Sequence, residues 1–220
     1  MKLFFSFKKN LFRAMDLFLI TFAALFSVIN PLGSVPIFLG LTQGDPKEAK
    51  NKTAFWASVN VFIILVISFF IGKVILNFFG ISIDVLRIAG GVVICSSGFG
   101  LLSGSFSKRR GVNKKVADDA QQRNDIALTP LAIPMMAGPG SMSLLIAMEQ
   151  DNPEIINKLL IVAAIFAVAI TVFLILRSAN YISKLLGASG IVAISRIIGF
   201  LVLAIGIQYI INSLLILFKI

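Results

Sequence analysis

Two short stretches hold the residues whose types and spacing could do chemistry. Asn30-Pro31-Leu32-Gly33-Ser34 and Gly138-Pro139-Gly140-Ser141 each set a proline, which lacks an N–H, beside glycine, which tolerates positive φ. Within apolar runs, each should stop one half-helix and start another. The amides opening the second half-helices, around Gly33-Ser34-Val35 and Gly140-Ser141-Met142, would then present positive dipole ends suited to a carboxylate or similar anion. Such breaks are tolerated in hydrocarbon only where protein or a water-filled cavity covers the freed backbone groups, so a polar cavity is implied. Asn30, Ser34, Thr129, Ser141 and Ser143 add side-chain hydrogen-bonding groups. The expected binding set is Asn30, Pro31, Gly33, Ser34, Thr129, Gly138, Pro139, Gly140 and Ser141. Leucine at Gly138 or Gly140 is expected to block ligand approach while leaving membrane insertion intact.

A second set carries charge. Arg87 and Arg196 lie within apolar stretches, where an arginine is costly and faces a partner, an aqueous path or the headgroups. Asp84, three residues before Arg87, shares its helix face and could pair with it. Asp84, Arg87 and Arg196 therefore form a candidate gating or charge group. No Asp or Glu falls at a midplane, so a proton-relay carboxylate is unsupported. Coupling, if any, would rest on Na⁺ at carbonyls of the breaks, or on Asp84 or Glu149 reaching inward. The absence of histidine and the single cysteine, Cys95, exclude His-based acid–base catalysis, Ser-His triads, zinc sites and disulfides within the chain. No cofactor is expected, and no enzyme activity.

The elements that must position these residues are membrane spans. At 220 residues, 58% hydrophobic, 14% charged and mean hydropathy +0.97, the chain is too apolar for a soluble domain. The net charge of +10 resides in short segments between apolar runs, which reads as membrane orientation rather than nucleic-acid binding. Six spans are expected: Ala14–Leu41, interrupted at Asn30-Pro31; about Thr53 to Phe70, fraying toward Phe79; Ile83–Leu102; Ile126–Met148, interrupted; Ile155–Leu176; and Ile191–Phe218. Asp45-Pro46 and Asn152-Pro153 supply caps for the second and fifth. Ser107 to Asp125 is a polar loop outside the bilayer.

Three landmarks recur at nearly one offset. Asp45-Pro46 returns as Asn152-Pro153, Asn30-Pro31 as Gly138-Pro139, and Arg87-Ile88-Ala89-Gly90 as Arg196-Ile197-Ile198-Gly199. The chain thus reads as all-α, a polytopic helix bundle of two inverted three-helix repeats with broken first helices, in one membrane domain. Repeat 1 covers about 14–104, the polar loop 105–126, and repeat 2 about 127–218. That is a transporter architecture. The side holding the 1–2, 3–4 and 5–6 connections carries more Lys and Arg, so it is expected to be cytoplasmic and both termini periplasmic. Gly90, Gly91 and Gly199 allow close helix approach; a homo-oligomer through the Gly90-Gly91 face is left open.

The stretch from Phe26 through Asn30-Pro31-Leu32-Gly33-Ser34 to Phe38, and that from Pro130 through Pro134-Met135-Met136-Ala137-Gly138-Pro139-Gly140 to Ser141, resemble the MarC family of bacterial inner-membrane proteins over essentially the whole chain. The family's Asn-Pro-x-Gly segment falls on Asn30, Pro31 and Gly33. Its Pro-x-x-x-Pro and Ala-Gly-Pro-Gly segment falls on Pro130, Pro134, Ala137, Gly138, Pro139 and Gly140. The resemblance implies a six-span bundle and a carrier of small neutral amino acids such as glycine or alanine. Partners would be the lipid bilayer and a small-molecule substrate. A channel or passive exporter of small solutes, or a membrane protein without transport activity, are the competing readings.

Overall fold

The computed structural model describes residues 2–103 and 126–218. The expected polar loop lies almost wholly outside them. The described chain is helical throughout: α1 (Lys2–Ile29), α2 (Pro31–Leu41), α3 (Lys47–Phe78), α4 (Ile83–Leu102), an irregular segment Ala127–Met136, α5 (Pro139–Asp151), α6 (Ile155–Arg177) and α7 (Ala179–Phe218). Five spans are long and apolar enough to cross a bilayer, with Ala14–Leu41 counted as one; the bent pair Ala127–Met136 and Pro139–Asp151 makes a sixth. Large apolar side chains such as Phe78, Ile155, Ile197 and Phe200 stand exposed on the outer surface. A hydrocarbon solvent makes that arrangement stable.

Helix ends follow local chemistry, one or two residues away from the expected caps. Pro46, not Asp45, sits at the cap position of α3, and Glu154 at that of α6. Asn152 instead closes the C-terminus of α5, its side-chain amide donating to the Met148 carbonyl at 3.0 Å. Gly80, at φ 65°, turns the chain between α3 and α4, and the Ser82 hydroxyl accepts from the Val85 amide. The last helix begins at Ala179, ahead of the expected Ile191. Gly187, at φ 64°, breaks it into a short lead-in and the span proper.

The second and third helices of each half pack on their counterparts. Between α3 and α6, Phe55 meets Phe173 and Phe62 meets Phe166 edge to face, with ring centroids 6.0 and 5.7 Å apart. Between α4 and α7 the contact is backbone on backbone. A Cβ on Gly91 would stand 2.8 Å from the Gly206 carbonyl oxygen, and one on Gly98 2.9 Å from that of Gly199; the reverse approaches are equally close. In both pairs the residue number rises along one helix as it falls along the other. The partners are therefore antiparallel, the relation that inverted halves require. Gly91 and Gly98 on α4 and Gly199 and Gly206 on α7 share a seven-residue spacing, so each half contributes a glycine pair to the crossing. Gly91 is occupied within the chain by α7 and Gly90 by Ser143 of α5, so this face is closed to the oligomer contact left open from sequence.

Gly98→Ala should therefore cost about 1–3 kcal/mol by overpacking, because its Cβ would strike the backbone at Leu203 and Gly199. Gly100→Ala, which meets nothing within 4 Å, should be neutral or stabilising. Thermal midpoints of the two variants in one detergent check the contrast.

Candidate functional site

The first break is a single residue wide. Asn30 closes α1 by donating its amide to the Phe26 carbonyl at 2.9 Å, then turns into the left-handed region at φ 46°, ψ 66°. Asparagine is among the few residues with a side chain that adopt this conformation readily. Its Oδ1 accepts from the Gly33 amide at 3.2 Å, capping α2, and the Ser34 hydroxyl donates to the Asn30 carbonyl at 3.2 Å. Pro31 occupies the first helical position, where no N–H is needed. Gly33 is fixed by the cap: a Cβ there would overlap the Asn30 side-chain nitrogen. Each letter of Asn-Pro-x-Gly thus has a local steric or hydrogen-bonding cause. One group is left over, because the Asn30 side chain is fully buried and its Nδ2 has no hydrogen-bond partner.

The second break is wider. Thr129 and Ile133, each preceding a proline, are extended, and the Thr129-Pro130 and Ile133-Pro134 bonds are cis. The chain then bends by 63° into α5. Gly138 occupies the cap position, Pro139 the first helical one, and the Ser141 hydroxyl donates to the Gly138 carbonyl at 2.9 Å. First-turn geometry leaves the amides of Gly140 and Ser141 without helical acceptors. The two breaks are thus unequal versions of one device.

They meet in the interior. A Cβ on Gly140 would stand 3.7 Å from Val28 Cγ1, two residues before Asn30, and 3.1 Å from Ile94 Cγ1 of α4. Asn30, Pro31, Gly33, Ser34, Gly138, Gly140 and Ser141 are all buried, while Pro139 is exposed. Thr129, half-buried, lies at the loop end of its segment and makes no hydrogen bond to the other break residues. The buried break residues are covered by neighbouring protein. Cavities of about 600, 620, 520 and 440 Å³ are lined by other residues. Ser34 and Ser141 spend their hydroxyl protons locally. The donors left unused at the two breaks are the Asn30 side-chain amide, which lies over Gly33, and the first-turn amides of α5. Gly138 also has a packing role of its own, since a Cβ would fall 2.6 Å from the Pro134 carbonyl oxygen. Leucine there would disturb the fold, contrary to the expectation that it would act on ligand alone.

The charged group is reorganised relative to expectation. Arg87 pairs with Asp84 at 3.5 Å and also with Asp151, the last residue of α5. Arg196 is exposed and makes no ion pair among the described residues. Its surroundings explain why: the repeat positions equivalent to Asp84 and Asp151 are Ala193 and Gly44. Glu149, nearly buried, pairs with Lys158 at the start of α6. The C-terminal turn of α5 would otherwise suffer from its two carboxylates lying at the negative end of the helix dipole. Arg87 and Lys158 offset them and tie α5 to α4 and α6. Sequence reasoning missed Asp151, which reads as part of the Asn152-Pro153 turn. Tyr209 and Asn212, which line a cavity with Arg87 and Asp151, were missed as well. The acid-rich end of α5 facing Arg87 was the available signal.

Antiparallel pairing of like helices, two interrupted spans meeting in the interior and an apolar exterior define a polytopic α-helical membrane protein built from two inverted halves. The chain belongs to the MarC family: residues 15–218 match the MarC family integral membrane proteins. It is 36% identical over 217 residues to the inner membrane protein MarC of Salmonella paratyphi A, covering 94% of this chain and 96% of that one. It is 36% identical over 193 residues to the membrane protein YhcE of Escherichia coli, covering 88% and 89%. A membrane protein of Buchnera aphidicola from Schizaphis graminum is 39% identical over 188 residues, covering 86% and 87%. No solved structure matches it.

Replacing Asn30 separates its two roles. Asn30→Gly keeps the left-handed turn but loses the cap, whereas Asn30→Ala loses the cap and adds about 1–2 kcal/mol of backbone strain. Thermal unfolding in detergent should rank the wild type above Asn30→Gly, and Asn30→Gly above Asn30→Ala.

Proposed function

We propose that the protein is a secondary transporter of small neutral amino acids of glycine or alanine size. The observation that carries this reading is the buried, unpartnered Asn30 Nδ2 over the first turn of α2, in a break whose preceding turn, at Val28, packs against Gly140 of α5. A buried amide donor without an acceptor costs on the order of 1–3 kcal/mol, and a substrate carboxylate would remove that cost. Hydrogen-bond donors and two helix N-termini suit the carboxylate end of a zwitterion. The burial of the break residues fits an occluded state from which access alternates by relative motion of the two halves. The side chains packed around Gly140, those of Val28, Val93 and Ile94, are apolar and close, which favours a ligand with a short aliphatic side chain. The reading involves binding and release without covalent chemistry, and places the protein in the bacterial inner membrane with both termini periplasmic.

Uptake of labelled glycine and alanine into proteoliposomes, with and without a Na⁺ or proton gradient, tests it. Saturable uptake is expected from the wild type. Asn30→Asp keeps an oxygen to cap Gly33 but replaces the free donor with an acceptor, so uptake should fall at least tenfold. Gly140→Val, which presses on the yielding side chains of Ile94 and Val28, should do the same. No uptake by folded wild type under any gradient, or wild-type uptake by both variants, overturns the reading.

A further inference from the structure

At the end of the bundle where α4 begins and α5 ends, a cavity of about 440 Å³ is lined by Arg87, Asp151, Tyr209, Asn212, Leu215 and Ile216. It brings a guanidinium, a carboxylate, a phenol and a carboxamide together at one end of the bundle. The Asp151 side chain is 58% exposed and that of Arg87 only 11%, so the carboxylate forms the outer wall and the guanidinium the inner one. Asp84 holds Arg87 from the other side at 3.5 Å. We propose that this cavity is a mouth site that captures the substrate as a zwitterion by opening the Arg87–Asp151 pair. The substrate carboxylate takes the place of Asp151 on Arg87, and its ammonium group is received by Asp151.

The exchange conserves charge pairing. Both partners of the opened ion pair find new ones, and Asp84 keeps the guanidinium in place throughout. A bare cation on Asp151 would face the guanidinium unshielded, and a bare anion on Arg87 would leave Asp151 unpaired beside it. The inference rests on the transport reading for the identity of the zwitterion.

The test is calorimetric titration of the protein in phosphatidylglycerol nanodiscs with glycine, acetate and methylamine. Glycine should bind saturably, with acetate and methylamine at least tenfold weaker. Asp151→Asn, at an exposed position where Asp84 still holds Arg87 and Lys158 still holds α5, should weaken glycine binding at least tenfold, as should Arg87→Gln. Asn30→Asp should leave it in place. Binding lost in Asn30→Asp but kept in Asp151→Asn overturns the mouth site and leaves the transport reading standing. Binding that follows Asp151 in a protein that takes up nothing does the reverse. Methylamine equal to glycine, or no glycine binding by the wild type, overturns the proposal. A phosphatidylethanolamine headgroup carries the same two charges, and loss of glycine binding when that lipid is restored would assign the site to lipid and overturn it too.

Discussion

A backbone amide or carbonyl that leaves its helix inside hydrocarbon has no water to turn to, and everything distinctive in this bundle follows from that constraint. At Asn30 the solution is internal: the side-chain oxygen satisfies the Gly33 amide, the backbone carbonyl accepts the Ser34 hydroxyl, and Pro31 brings no amide to satisfy. At the second break the Ser141 hydroxyl serves the Gly138 carbonyl, and Ala137 donates to Ala132 at 2.8 Å. Asn30, Gly138 and Gly140 are buried by neighbouring helices, whereas Ile133, Pro134 and Pro139 of the second break reach the surface. Where the accounting fails to close, as at Asn30 Nδ2, the remainder is a donor pointing into protein.

Covering those breaks requires the helices to come very close, and the glycine crossing of α4 and α7 provides the closeness. Gly91 and Gly98 on one helix and Gly199 and Gly206 on the other bring backbone to within the reach of a single missing Cβ. Van der Waals contact at this distance takes the place of the hydrophobic drive that is absent between helices in lipid. The same crossing sets Gly140 against Ile94, so the crossing that joins the two halves also seats α5 at the first break.

Much of this was legible in the residues. Length, apolar runs and the recurring Pro-Gly breaks led to an all-α bundle with interrupted spans, because each depends on local composition alone. The duplication was readable from the order of the landmarks, and the inversion from the odd number of spans in each half. What could not be read were relations between distant helices. Arg87 and Arg196 occupy like positions in the two halves, yet only Arg87 is paired, since its partner Asp151 comes from another helix and has no counterpart. The caps moved by a residue or two because Asp45 and Asn152 compete with backbone alternatives that only the folded chain decides. Gly138 read as ligand space, whereas the Pro134 carbonyl claims that space, a contact created by the fold of the two-proline segment.

The unequal breaks give the two halves different mechanical characters. Spans α1 and α2 are joined through one capped residue, whereas α5 is tied at its C-terminus by Arg87 and Lys158 and meets its preceding segment at a 63° bend. Thirteen residues of helix make a rod of about 20 Å pivoted at its charged end. A tilt of about 10° about that pivot would sweep the Gly140 tip through about 3 Å, the length of one hydrogen bond. Of two halves built to one plan, the first is shaped as the frame and the second as the lever.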